Sequence, residues 1–497
     1  MKAKRKNNII YLVLSLFAIA VSLNIYLSNY LESQLSKLLA KQEIKFTGDV
    51  STNVLFGNIF VENIEARKDS LLVKAHRLEV KGVSYVSFLF NDVVKVSEIS
   101  VFKPIISGVI LDKEANNTSK NNSTNQLPII NIENIEIING ALSVKNNNGS
   151  PFKIDDFSLS LTNVRYKDRL ISVIPFLYED ISFTLNKLEY QQSTTQMFAL
   201  DKIIYSNNFL SIHNLEIIPL KVKEEYIYHV PYEKDLLSLC IKEISIPNFI
   251  IQTAPKLSFK ATNTQINYAD FEVFLDASVL NHPKHKKKDL YSKSLRELPI
   301  QINFDTIQIK NSKILYKEKL SSKDKAGELS FHNINAAIYN LSNTGNKETE
   351  IAVTSDFMNS TPFKVNWNFN VNNPLDEFFI KGNLATINAQ KINSFIEPKL
   401  KVRVDGRINS LSFNLYGNNT YSQGDFAIDY ENIKVKVLKN NKGVRKVLSW
   451  LVNLVLKNSS KSEMKEVKIQ KLERDQSRSF WNFLWKNIEK GLKETMI

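Results

Sequence analysis

Apolar and polar side chains alternate along most of this chain, from Ile44 to about Leu438. Runs such as "FKIDDFSLSLTNV" (152–164) and "FKVNWNFNV" (363–371) place aliphatic or aromatic residues at nearly every second position. These residue types, at this period, are typical of strands with one apolar and one polar face. The pattern predicts a mainly β protein with on the order of 20 strands in an antiparallel sheet.

The alternation slips by one residue within a phrase that recurs along the chain. Residues 127–145, "LPIINIENIEIINGALSVK", align with residues 298–317, "LPIQINFDTIQIKNSKILYK", when one extra residue is allowed in the second copy. Asn139 then matches Asn311, and "VSEISVF" and "IKEISIPN" supply two shorter copies. The recurrence indicates one structural unit used several times, although its spacing is too irregular for a strict solenoid.

The slip has a consequence for the direction of the side chains. By itself it would turn the later apolar residues to the opposite face of the sheet. A β-bulge or a tight bend at the two polar residues would keep them on one face and would also bend the strand. We therefore expect one curved apolar face that includes Val96, Ile99, Val101, Ile132, Ile135, Ile137, Ile241, Ile244, Ile246, Phe304, Ile307 and Ile309.

An apolar sheet face has to be covered, and two packed sheets are the common solution. The sequence has few helical segments between its strands, and its repeats indicate steady curvature. These features favour an elongated, curved sheet that folds over an apolar groove, a β-taco. Such a groove suits hydrocarbon chains, whose burial is worth about 0.8 kcal/mol per methylene.

The N-terminus carries a membrane signal. The basic segment "MKAKRKNN" (1–8) precedes "IIYLVLSLFAIAVSLNIYL" (9–27), which contains no charge and is long enough to cross a hydrocarbon core of about 30 Å. The basic residues would hold the N-terminus in the cytoplasm. A cleaved signal peptide is the alternative, because "AIA" (18–20) resembles a cleavage site, but the apolar run continues to Leu27. Either way, the bulk of the chain is expected outside the cytoplasm.

The rest of the chain divides by pattern. Leucines at helical spacing predict a short helix at 30–42, and "NAQKINSFIEP" predicts another at 388–398 that Pro398 stops. Polar or basic residues predict flexible loops at about 115–126 and 281–297. The expected domains are an anchor with its basic stub at 1–29, a β body at 30–440 and amphipathic helices at 441–497.

The C-terminal segment has helical periodicity in two stretches, 443–458 and 478–494. Trp and Lys on one polarised helix suit a membrane interface or a partner protein. A helix packed over the open end of the β body explains the same pattern equally well. The candidates for membrane contact are Trp481, Leu484, Trp485, Ile488 and Leu492.

Composition and motifs give no sign of catalysis. The single cysteine, Cys240, lies in a strand-like run and is expected to be a small buried apolar residue. His282 and His285 are close in sequence, but Pro283 and several lysines around them favour a solvated basic loop over a metal site. No catalytic or nucleotide-binding motif is present, so we expect a protein that is not an enzyme and needs no metal or cofactor. The net charge of +14 fits nucleic acid or an anionic membrane, and export past an anchor disfavours nucleic acid.

Several stretches carry a family resemblance. "TNVLFGNIFVENIEAR" (52–67) and "LLVKAHRLEV" (71–80), after a membrane anchor, resemble the start of AsmA-like envelope proteins. Residues 378–438 resemble the C-terminal region of that family, with recurrent Gly382, Gly406, Gly417 and Gly424, a short helix before Pro398 and the closing "IDYENIKVKVL". The ending "RDQSRSFWNFLWKNIEKGLK" (474–493) also looks like the tail of small members.

The resemblance implies a β-taco groove, related in architecture to TamB-like and bridge-like lipid transfer proteins. It further implies a single-pass inner-membrane anchor, a periplasmic body, phospholipid acyl chains as ligands and a role in phospholipid traffic to the outer membrane. An outer-membrane or other envelope protein is a possible partner at the far end. The alternative function is a scaffold or chaperone-like factor that assists outer-membrane protein assembly through exposed strand edges.

Overall fold

A computed structural model describes most of the 497-residue chain. In the first helix, side chains are described from Val21 onward, with the exception of Leu38. The predicted loop at 115–126, the predicted helix at 443–458 and His285 lie outside the described residues. The described residues are 2–41, 43–85, 87, 93–110, 129–166, 174, 176–283, 286–438 and 463–496.

The chain forms two compact units. The first unit contains Met1–Gln191, Ala199–Leu210 and Thr253–Pro255, and the second contains Gln192–Phe198, Ser211–Gln252 and Lys256–Ile497. The boundary between the units falls inside the segment 30–440 that the sequence pattern treats as one body.

Both units are mainly β. The strands of the first unit are β1 (Lys45–Asn53), β2 (Asn58–Lys68), β3 (Leu71–Lys81), β4 (Val93–Phe102), β5 (Ile105–Val109), β6 (Ile129–Lys145), β7 (Pro151–Tyr166), β8 (Phe176–Leu177) and β9 (Asp180–Gln191). Two strands contain residues of both units, β10 (Gln196–Ser206) and β11 (Phe209–Pro219). The strands of the second unit are β12 (Leu236–Ile246), β13 (Ile250–Gln252), β14 (Ser258–Ala261), β15 (Thr264–Asp276), β16 (Gln301–Lys319), β17 (Gly327–Ser342), β18 (Glu348–Phe357), β19 (Thr361–Asn370), β20 (Phe378–Leu384), β21 (Ile387–Asn388), β22 (Val402–Gly417), β23 (Tyr421–Val437) and β24 (Glu463–Glu473).

Helices are few among the described residues. The α-helices are α1 (Lys2–Lys41), α2 (Tyr291–Arg296), α3 (Asn393–Leu400) and α4 (Phe480–Met496), and short 3-10 helices cover Val54–Phe56, Tyr226–His229 and Ala389–Ile392. The helices predicted at 30–42 and 478–494 are confirmed within α1 and α4. Pro398 lies inside α3 and does not stop it, because the helix continues to Leu400 and ends at Lys401 in a left-handed conformation.

The sheet in each unit is mixed, which corrects the expectation of an antiparallel sheet. In the first unit β6 runs parallel to β4 and β5, whereas β1–β2–β3 and β6–β7–β9 pair antiparallel. In the second unit β16 runs parallel to β14 and β15. Each strand then pairs antiparallel with the next one in the series β16, β17, β18, β19, β20, β22, β23 and β24. Parallel neighbours require a long connection. In sequence, residues 103–128 separate β4 from β6, and residues 277–300 separate β15 from β16.

The register shifts lie a few residues beyond the predicted slip. In β6 they occur around Gly140, next to Asn139, and in β16 around Ser312, next to Asn311. Both asparagines have left-handed backbone, with φ of 52° and 51°. The two positions that match in the sequence alignment therefore share one unusual conformation, although the predicted bulge at the preceding polar pair is wrong.

At the polar pair where the alternation slips, the unusual backbone lies on the neighbouring strand instead. Asn163 on β7 and Asn340 on β17 have left-handed backbone, and their strands face the polar pairs of β6 and β16 without a register shift. Two consecutive polar residues, Glu133 and Asn134, are exposed there, while Ile132 is half-buried. Asparagine tolerates this backbone because its short side chain bonds locally.

The N-terminal helix α1 contacts β1 and continues to Lys41. As far as their residues are described, none of the helices is both long and apolar enough to cross a membrane. The predicted span at 9–27 falls largely on residues whose side chains lie outside the described part, and it stays a prediction.

The second unit has a dense core at its C-terminal end. Strands β19 to β23 bury Ile380, Phe413, Leu415, Phe426 and Ile428, each at most 2% exposed. The 281–297 stretch is not simply a solvated basic loop, because Leu290 before α2 joins this core and the side chain of His282 is only 8% exposed.

Candidate functional site

The repeated segments lie side by side in the first unit. Strand β4 carries one copy and β6 carries the next, and they pair in parallel register. Val96 is paired with Ile132, Ile99 with Ile135, and Val101 with Ile137. The structure therefore brings together all six predicted apolar positions of these two copies.

These pairs belong to longer lateral rows, because the neighbouring strands carry apolar residues at the same register positions, with the polar Thr52 at one end of one row. We name the two rows by their central residues. The Ile135 row contains Thr52, Ile59, Val80, Ile99, Ile135, Leu161 and Ile181. The Ile137 row contains Val50, Val61, Leu78, Val101, Ile137, Leu159 and Phe183.

Each row crosses seven strands, and six strand spacings of about 4.8 Å give about 29 Å. The two rows lie two residues apart on every strand, so their side chains share one face. Except for Val61 and Leu161, all members are only half-buried. The first unit thus has a continuous apolar strip that its own residues leave partly open to solvent.

The second unit carries the corresponding rows. Ile244 and Ile309 both pair with Ile266, so two further predicted residues lie in one row. Ile307 starts a neighbouring row with Ile338, Ile351 and Trp367, and it is 9% exposed. Phe304 pairs with Leu341 and Ile241 with Ala269, while Ile246 ends β12 and is buried.

The Ile309 row changes character along its length. From β12 to β19 its members are half-buried, among them Ala336 and Val353. On β22 and β23 its members Phe413 and Phe426 are 2% and 1% exposed. The apolar face of the second unit is therefore sealed near its C-terminal end and more open on the earlier strands.

Helix α4 produces this seal. Phe480 stacks on Trp367 with ring centroids 4.6 Å apart, and Phe483 is also part of the core. Leu484, Ile488 and Leu492, which the sequence offered as membrane-contact residues, pack against the same core. The structure places these three in the alternative position, packed over the β body.

The two tryptophans of α4 lie at the margin of this contact. Trp481 is 55% exposed, and its Nε1 donates a hydrogen bond to the Tyr291 hydroxyl at 3.0 Å. Burial raises the pKa of Tyr291, so this hydroxyl stays protonated. Trp485 is half-buried and meets the ring of Phe395 edge-on at 6.0 Å. Of the five candidates for membrane contact, Trp481 is the most exposed.

One buried side-chain contact joins α4 to β23, and a second hydrogen bond inside the helix completes the bonding of the same asparagine. The Ser422 hydroxyl on β23 donates to Asn487 Oδ1 at 2.9 Å, and Asn487 Nδ2 donates to the Phe483 carbonyl at 2.9 Å. Ser422 and Asn487 are at most 1% exposed. A buried polar pair of this kind is costly unless it is satisfied, so it specifies one position for the helix.

The described residues offer little for catalysis. Among them no group of three or more His, Cys, Asp or Glu side chains is placed to bind a metal. Burial raises the pKa of the half-buried Cys240 thiol, which disfavours the reactive thiolate. A shallow depression of about 370 Å3 crosses β16 to β19 and is lined by both apolar residues and lysines, among them Ile309 and Lys310. It is open and mixed in character, unlike an enclosed catalytic pocket.

Sequence reasoning missed two groups of residues. The partners on β7 and β9, such as Leu159 and Phe183, belong to the rows but carry no repeat signature. The second group is the left-handed asparagines, among them Asn163, Asn340 and Asn432. Each precedes an aliphatic residue, but so do Asn131 and Asn383, which have no positive φ, so the neighbouring residue does not identify them.

Comparison with known proteins adds no assignment. No family model matches this chain, and no curated protein matches it at a significant level of sequence similarity.

Proposed function

We propose that this chain binds lipid acyl chains on its apolar strip and supports phospholipid transfer in a bacterial-type envelope. The observation that carries the proposal is the pair of mostly half-buried apolar rows across seven strands of the first unit. A strip about 29 Å long and free of catalytic groups suits a hydrocarbon chain better than a compact substrate. The lipid head group would remain in water.

The proposal includes a location. The charge-free run at 9–27 would anchor the chain in the inner membrane, with the basic stub in the cytoplasm and the bulk of the chain in the periplasm. The resemblance of residues 52–67 and 378–438 to AsmA-like proteins supports the same assignment. Membership of that family is part of the proposal.

A photo-crosslinking experiment tests the binding of lipid. A benzoylphenylalanine replaces Ile135, a half-buried member of the Ile135 row, in the full chain within membranes. The matched control places the same amino acid at Glu136, whose side chain points to the other face of β6. We expect lipid adducts, identified by mass spectrometry, at position 135 and far fewer at position 136.

The outcome also separates the two candidate functions. Equal labelling at both positions, or no lipid adduct at position 135, would contradict the lipid-binding proposal. Recovery of a β-barrel protein at position 135 in place of lipid would favour the scaffold function instead.

A further inference from the structure

The turn between β1 and β2 exposes two large apolar side chains. Leu55 is 78% exposed and Phe56 is 70% exposed, and both belong to the 3-10 helix Val54–Phe56. Exposing two adjacent large apolar residues at a turn is unfavourable in water, so such a patch indicates a contact surface.

The turn is fixed to α1 by hydrogen bonds. The Val54 amide donates to Asn24 Oδ1 at 2.8 Å, and the Thr52 hydroxyl donates to the Asn24 carbonyl at 3.1 Å. Ser28 Oγ donates to the same carbonyl at 2.8 Å and lies 3.1 Å from Thr52 Oγ1. These contacts set the height of the turn along the helix.

Along the helix axis, the turn therefore lies level with the end of the proposed membrane span. Asn24 lies three residues before Leu27, where the proposed span 9–27 ends, so it is about 4.5 Å from the end of the span. An asparagine at this depth needs a partner, and the Val54 amide supplies one. The contact between the turn and the helix therefore satisfies a polar group that lipid could not.

The helix surface beside the turn is also apolar and exposed. Tyr26 and Tyr30 stack with ring centroids 6.3 Å apart, and tyrosines are enriched at membrane interfaces. The exposed apolar residues of this part of α1 are Val21, Leu23, Ile25, Tyr26 and Tyr30.

We propose that Leu55 and Phe56 insert into the bilayer surface next to the anchor. The occupant of this patch is lipid, because the patch adjoins the charge-free apolar stretch of α1 and lies at the depth where tyrosines and short apolar turns meet the head groups. Thr52 of the Ile135 row is bonded to the same helix. The first strand of the apolar strip thus begins at the membrane, which places the entry of acyl chains there. This inference rests on the anchor in the proposed function.

Environment-sensitive labelling tests the insertion. Phe56→Cys and, as control, Leu375→Cys are made in a Cys240→Ser background and labelled with the fluorophore NBD. Like Phe56, Leu375 is a large exposed apolar residue at a turn; it is 61% exposed and lies in the second unit. The full chain is reconstituted into vesicles of phosphatidylethanolamine and phosphatidylglycerol, some carrying a nitroxide near the lipid head group. Circular dichroism checks that both variants are folded.

We expect several-fold stronger quenching by the nitroxide lipid at position 56 than at position 375, and stronger quenching by aqueous iodide at position 375. A chain that floats with the vesicles while iodide quenches both positions equally overturns the insertion and leaves the anchor intact. Protection of position 56 from both quenchers indicates a protein partner and also overturns it. A chain that does not float with the vesicles overturns both the anchor and the insertion, whereas lipid crosslinking at position 135 is judged independently.

Discussion

Ile99 on β4 pairs directly with Ile135 on β6 in a parallel ladder, so two copies of one sequence phrase lie in register. The pairing continues to Val80 on one side and Leu161 on the other. Because the copies share the same slip, their apolar positions stay aligned on both sides of it. This alignment turns a repeat in the sequence into a continuous apolar strip.

The strip predicts an effect for a residue without a repeat signature. Leu159 on β7 lies between Ile137 and Phe183 and is half-buried. Leu159→Lys would interrupt the Ile137 row with a charge that acyl chains cannot solvate, so we expect several-fold less bound lipid per chain. Quantitative mass spectrometry of lipid bound to the full chain measures this.

The control for this variant is Ser160→Lys, which adds the same charge one position along β7 and next to Glu136 on the other face. We expect normal lipid content for it. Equal loss in the two variants, or no loss in Leu159→Lys while the protein remains folded, would show that the row does not bind lipid.

The left-handed asparagines predict a difference between alanine and glycine. Asn340 has φ of 54°, where a Cβ costs roughly 1–2 kcal/mol and glycine is unstrained. We expect Asn340→Ala to lower the free energy of unfolding by about 1 kcal/mol, and Asn340→Gly to change it little. Urea unfolding followed by circular dichroism measures both.

Asn366 on β19 provides the reference position, since it is exposed and its backbone has no positive φ. Asn366→Ala should be close to neutral. If Asn340→Ala and Asn340→Gly were equally destabilising, the loss would come from the side chain and not from the backbone conformation.

The close packing of α4 predicts that replacing one of its glycines by alanine has the opposite of the usual effect on stability. Replacing an interior helical glycine by alanine normally stabilises by about 1 kcal/mol. At Gly491 an added Cβ would lie 2.3 Å from Cγ of Phe426, a buried ring on β23. Overpacking of this kind costs about 1–3 kcal/mol, so we expect Gly491→Ala to lower the unfolding midpoint in urea.

Shortening the facing ring tests the cause. In a Phe426→Leu background, Gly491→Ala should lose less stability than it does alone, because the overlapping ring is gone. A stabilised Gly491→Ala single variant would mean that α4 does not pack as closely as described.

Asp235 predicts a dependence of stability on pH. Burial raises the pKa of Asp235 above its ordinary value of 3.8, with Lys288 opposing the shift and Glu233 and Glu318 adding to it. The folded state then binds a proton more readily than the unfolded chain. The contribution of Asp235 to stability is therefore greatest below pH 3.8 and is lost as the pH rises through the raised pKa.

Asp235→Asn should consequently raise the unfolding midpoint at pH 7, and the gain should shrink as the pH falls toward 3.8. Asp425→Asn, at an exposed position on β23, serves as the control and should change little. A gain for Asp235→Asn that is the same at every pH would show that the titration of this carboxyl is not its cause.

Much of the local structure could be predicted from the residues. Alternation predicted the strands because the side-chain period of a strand is two. The apolar face of α4 could be predicted because side chains on one face of a helix recur every three to four residues. The alignment of Asn139 with Asn311 anticipated a shared backbone feature, although the bulge was placed at the preceding polar pair. A bulge depends on the partner strand, and its position is therefore not encoded in one strand alone.

The sequence by itself determined which residues are apolar, how they alternate and where the pattern slips, because these properties follow from side-chain chemistry and the geometry of single strands. Only the tertiary structure decided that β4 and β6, and likewise β15 and β16, run parallel, because the sequence distance between the paired strands is large enough for either direction. It also decided that α4 seals the C-terminal core of the second unit while most members of the rows in the first unit stay only half-buried. Burial depends on which elements pack together, and residues distant along the chain settle that.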